Sequence, residues 1–194
     1  MTGALRRLLE RVRGRRGIRP ERIAFIQAYS FPPLLGQKMR EAYPHLTDAE
    51  VVQVLEGLRQ WFLVCLNARG KTVGMPSAAV DEAWHEFILI TREYTAFCDA
   101  AFGRYLHHTP STSMSEPMAS SLARTVHVLD DLPSPLVPVS AVPLLFALDA
   151  ELDIPNGHGY DEEHVEWLRN GGWSGSGEGG SSPAFGADGS VGGS

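Results

Sequence analysis

"TDAEVVQVLEGLRQWFLVCLNARG", Thr47 to Gly70, decides the fold class. Thr47 followed three residues later by Glu50 is a capping box, a reciprocal arrangement that satisfies backbone donors at a helix start. Val51, Leu55, Leu58, Phe62 and Cys65 then recur at helical spacing, so one stripe of a long helix is apolar. Gly70 supplies a stop.

The same period continues on both sides. "PERIAFIQAYSF" (20–31) opens on Pro20, a favoured first-turn residue, and "PPLLGQKMREAYP" (32–44) lies between prolines that bound a second helix. Ser77 is a candidate N-cap for "DEAWHEFILITREYTAFCDAAFGRYLHH" (81–108). "SMSEPMASSLARTVHVLDDL" (113–132), "VSAVPLLFALDAEL" (139–152) and "DEEHVEWLRNGG" (161–172) read as further helices, with an extended, proline-forced connection at Pro133, Pro135 and Pro138. Strand alternation is absent. The expected fold is all-α, a single domain of roughly six to eight helices over residues 20–170.

The ends differ from the body. Residues 1–19 hold seven arginines against one acid, Glu10. That is a net of +6, so with −6 for the whole chain the rest carries −12. Met1, Ala4, Leu5, Leu8 and Val12 give this basic stretch an apolar stripe, so it reads as an arm. It either packs on the body or meets an anionic membrane surface or nucleic acid. In residues 171–194, 10 of 24 are glycine and 6 are serine, a composition that cannot repay its chain entropy, so a disordered tail is expected.

The acidic balance argues against nucleic-acid binding by the body. The two cysteines, Cys65 and Cys98, lie in apolar helical patterns and suit a reducing cytoplasm better than a disulfide framework. No secretory leader or transmembrane span is apparent, and a cytoplasmic location is expected.

Three of the seven histidines fall in residues 81–108. On a single helix over residues 80–100, Val80, Trp84, Phe87, Ile88, Thr91, Tyr94 and Cys98 share one face, with Glu82, Glu86 and Glu93 opposite. Asp81 and His85 lie one turn apart on the border between the faces, with Arg92 and Asp99 further along it. A carboxylate beside an imidazole serves a general base or a metal ligand. The helix is expected to break at Gly103, after which His107 or His108 can swing back toward Asp81 and His85. That set would suit zinc, or iron with open positions. The alternative is that these histidines are structural. Cys98 reads as a small buried hydrophobe, His45 as local turn structure and His164 as solvated.

Familiar catalytic patterns are missing. Leu89 stands where an H-E-x-x-H motif needs its second histidine, which removes the zinc-protease reading. There is no G-x-S-x-G, no C-x-x-C and no phosphate loop.

Val80, Asp81, Trp84, His85, Thr91, Tyr94, Cys98, Phe102 and Gly103 form a pattern that resembles the glycine-rich domain-containing protein family, as do "LRQWFLVCLNA", "LFALDAELDIP" and the Gly-rich end. The resemblance implies one domain over about residues 20–170 with a motif core of Trp84, Tyr94, Cys98 and Gly103. Many eukaryotic relatives carry a second histidine two places after the first, where this chain has Phe87; no activity transfers. Two functions stand on these readings. One is a cytoplasmic helical interaction module with an unknown protein partner and a flexible tail. The other is a zinc- or iron-binding protein, enzymatic or not, centred on Asp81, His85, His107 and His108.

Overall fold

A computed structural model describes residues 20–108, 117–132 and 140–171. The expectations for the basic arm, the proline-rich connection and nearly all of the Gly/Ser tail therefore fall outside the described residues. Those that are described form eight helices and no strand, as the periodicity requires. In order they are α1 (Pro20–Ala28), α2 (Pro33–Ala42), α3 (Asp48–Asn67), α4 (Ala78–Leu89), α5 (Thr91–Ala101), α6 (Met118–Asp131), α7 (Leu144–Glu151) and α8 (Glu162–Arg169).

The long central helix α3 is the organising element. Its capping box forms as written in the sequence: Glu50 N–H donates to Thr47 Oγ1 at 3.3 Å, and Thr47 N–H donates to Glu50 Oε2 at 2.7 Å. Helices α1, α2, α4, α6 and α7 all pack on α3. Gly57 lets two of them approach closely, since a Cβ there would lie 2.4 Å from Leu148 Cδ1 on α7 and 2.8 Å from Val80 Cγ2 on α4. The core is aromatic at its centre, where Phe62, Phe87 and Phe97 meet with ring centroids 4.6 to 6.2 Å apart.

One expectation is corrected. Residues 80–100 are not one helix: Ile90, at φ −81° and ψ 62°, ends α4 and starts α5. The reason is a change of phase in the apolar stripe. On one continuous helix Thr91 would sit in the middle of the buried face, and Phe97 about 100° away from Val80. The interruption turns α5 so that Thr91 is exposed while Tyr94, Phe97 and Cys98 are all buried. Ile90 bridges the two helices, donating to Phe87 O and accepting from Tyr94 N–H.

The start of α4 is anchored from far along the chain. Ser77 caps it, accepting from Val80 N–H. Asp149 on α7, only 3% exposed, then accepts from Ser77 Oγ (2.6 Å), Ala78 N–H (2.7 Å), Ala79 N–H (3.2 Å) and His158 N–H (2.9 Å). A carboxylate at a helix N-terminus satisfies donors and meets the positive end of the helix dipole. No helix among the described residues is long and apolar enough to cross a membrane.

Candidate metal centre

Helix α4 presents Asp81 and His85 one turn apart, and Trp84 between them faces the core at 5% exposure. The third group arrives by a tight return. Helix α5 closes at Phe102 and Gly103, whose amides bond back to Cys98 O and Asp99 O. Gly103 adopts φ +69°, a left-handed conformation that only glycine takes without strain. Residues 105–108 run without regular structure along α4.

A buried clasp sets the register of that segment. Trp84 Nε1 donates to Tyr94 Oη at 2.9 Å, and Tyr94 Oη donates to Leu106 O at 2.6 Å. Burial pushes the Cys98 thiol up, and the Leu106 backbone N–H pulls it partly back. Burial likewise drives the Tyr94 phenol well above its ordinary range. Burial favours the neutral form of both groups, and Cys98, fully buried, is the small buried residue expected.

Two residues past the clasp, His108 meets α4. Its Nε2 lies 2.9 Å from Asp81 Oδ1, and its ring stands 4.8 Å from Trp84 and 4.2 Å from His85, centroid to centroid. An ionised carboxylate only accepts, so His108 carries its proton on Nε2 in this bond. His85 Nδ1 is 3.7 Å from Asp81 Oδ2, too long for a hydrogen bond. One ligand atom from each of Asp81, His85 and His108 can be chosen so that all three lie within 4.8 Å of one another. A tetrahedral zinc with bonds of about 2.0–2.2 Å needs its donors roughly 3.3–3.5 Å apart. Two imidazoles and one carboxylate suit zinc or iron(II) and leave coordination positions open.

The other residues singled out in the sequence go elsewhere. His107 is not part of the cluster; its ring stands 4.8 Å from Tyr105. Arg92 and Asp99 are exposed on α5 and outside the cluster. His45 lies in a turn, as expected, and its Nε2 also lies 3.1 Å from Leu152 O, more than a hundred residues on. His164 is not simply solvated, since its Nδ1 sits 2.6 Å from Asp161 Oδ1. The role of Asp149 escaped sequence reading, because its partners lie about seventy residues upstream.

Residues 21–179 match the protein-family model described as UCP032817-like. This match overturns the resemblance to glycine-rich domain-containing proteins. Trp84, Tyr94, Cys98 and Gly103, which carried that resemblance, form a packing clasp and a turn. Such a set specifies local structure and does not discriminate between families. No curated protein and no solved structure matches the chain.

Proposed function

We infer that this chain, which belongs to the UCP032817-like family, binds a divalent transition-metal ion through Asp81, His85 and His108. One observation carries the reading: donor atoms from two segments, α4 and the return after Gly103, converge within 4.8 Å on a partly exposed surface. The hydrogen-bonded proton between His108 and Asp81 occupies the kind of position a cation takes over, so metal uptake displaces it. Zinc is favoured by the ligand set, with iron(II) the second ion it accommodates. No reaction is assigned.

The alternative, an interaction module, rests on the basic arm and the Gly/Ser tail, both beyond the described residues. The test is elemental analysis of untagged protein, with calorimetric titration of zinc and, under anaerobic conditions, of iron(II). Near-stoichiometric uptake that Asp81→Asn or His85→Ala abolishes supports the reading. Absence of saturable binding of either ion refutes it.

A further inference from the structure

Asp81 and His108 also line a cleft of about 620 Å³, within the size range of small-molecule sites. Its charged residues set it apart from the rest of the molecule. The chain carries −6 overall, yet the charged side chains lining the cleft among the described residues are Lys71, Arg104 and Asp81. Neither cation forms an ion pair with a carboxylate among the described residues. The Arg104 guanidinium lies near enough to the Cys65 thiol in the cleft wall to oppose the upward push of burial on it. Arg104 belongs to the same return that delivers His108, so one turn brings to one cavity both His108 and a guanidinium without an ion pair among the described residues.

The rest of the wall is mixed, with Thr72, His107 and His158 on it, and its apolar part is adaptable. Val73, Met75, Leu106 and Met118 line it, and methionines conform to varied shapes. The start of α4, another natural seat for an oxyanion, is already taken by Asp149 and Ser77. An incoming anion is thus directed to the two side-chain cations.

We propose that this cleft binds a small organic anion, an oxyanion group on a compact apolar body. Arg104 and Lys71 hold the oxyanion, and Val73, Met75, Leu106 and Met118 receive the body. The inference deepens the metal-site reading, because a cation on Asp81 cancels the single charge in the cleft that opposes an anion. A guanidinium holds a carboxylate or a phosphate ester equally well through paired N–H donors, so the shared chemistry is the oxyanion.

Calorimetric titration of the full chain, with and without zinc, tests it using 2-naphthoate, 2-naphthyl phosphate and the neutral 2-naphthylmethanol. At least one anion is expected to bind about tenfold or more tighter than the alcohol, and Arg104→Met to remove that preference while leaving alcohol binding unchanged. Arg104 is exposed, so the variant should fold, and Lys71→Met gives an independent check. Preference for one anion over the other identifies the source as carboxylate or phosphate ester. Zinc content is read on the same samples. Zinc uptake with all three probes binding alike overturns the anion site and leaves the metal reading intact. An Arg104-dependent preference without zinc uptake upholds the anion site and overturns the metal reading. Loss of neither preference nor affinity in both cation variants overturns the proposal.

Discussion

The Tyr94 hydroxyl donates to the carbonyl of Leu106 at 2.6 Å, and this bond ties α5 to the segment that ends in His108. Because the same oxygen accepts from Trp84 Nε1, the bond couples α4, α5 and the return in one chain. Tyr94→Phe leaves a buried indole N–H and a carbonyl without partners, at a cost of about 1–3 kcal/mol. Denaturant unfolding should show that loss. Zinc affinity should fall about tenfold, the order seen when a group supporting a ligand is removed. Unchanged zinc affinity would show that the clasp does not position His108.

His107 and His108 are adjacent but unequal. His108→Ala removes a proposed ligand and should abolish saturable zinc binding. His107→Ala, next to Tyr105, should leave it within a factor of about two. Calorimetry on both variants decides, and equal losses would count against the assigned cluster.

Gly103→Ala places a side chain at φ +69° and drives its Cβ to 2.4 Å from Arg22 Nη2. The guanidinium can move, but Arg22 Nη1 then gives up its 2.7 Å bond to Phe102 O. The conformational cost alone is about 1–2 kcal/mol, read as a lowered unfolding midpoint. Gly103→Asn should cost less, because asparagine tolerates the left-handed region better than alanine.

Asp149→Asn keeps the size of the side chain and spoils its function. An amide offers one acceptor oxygen and presents its own donors to a site that already supplies four. A loss of about 2–3 kcal/mol is expected by chemical denaturation. A neutral result would show that α4 needs no anchor beyond Ser77.

Asp161 caps α8, and its carboxyl is held below the usual carboxylate range, chiefly by the backbone N–H of His164. A lowered folded-state value adds stability above the unfolded value of about 3.9, and that stability is lost as pH falls through the folded one. Asp161→Ala should therefore be less stable than the parent at neutral pH and converge with it in strong acid, as followed by circular dichroism.

Sequence pattern reaches the helices more easily than the site. The Thr47–Glu50 box, the Ser77 cap and the Gly103 stop are visible because each is a short-range rule confined to a few residues. Asp81 with His85 is visible for the same reason, being one turn of α4. The interruption at Ile90 is not: neither glycine nor proline marks it, and it exists only because Phe97 must reach the aromatic centre built by α3. The choice of His108 over His107 is set by the Tyr94–Leu106 bond, a tertiary contact that spacing does not encode. The cleft joins residues from α3, the 68–75 loop, α4 and the return, so no single window of sequence contains it.

The four-donor embrace of Asp149 also bears on the order in which a growing chain matures. During synthesis from the N-terminus, Asp81, His85 and His108 emerge well before residue 149. Until then the Ser77 hydroxyl proton and the amides of Ala78 and Ala79 lack the acceptor that Asp149 supplies. The wall beneath the Asp81–His85–His108 cluster is therefore finished late, when α7 docks, and a truncated product ending before α7 would carry Asp81 and His85 on a helix without its Asp149 anchor.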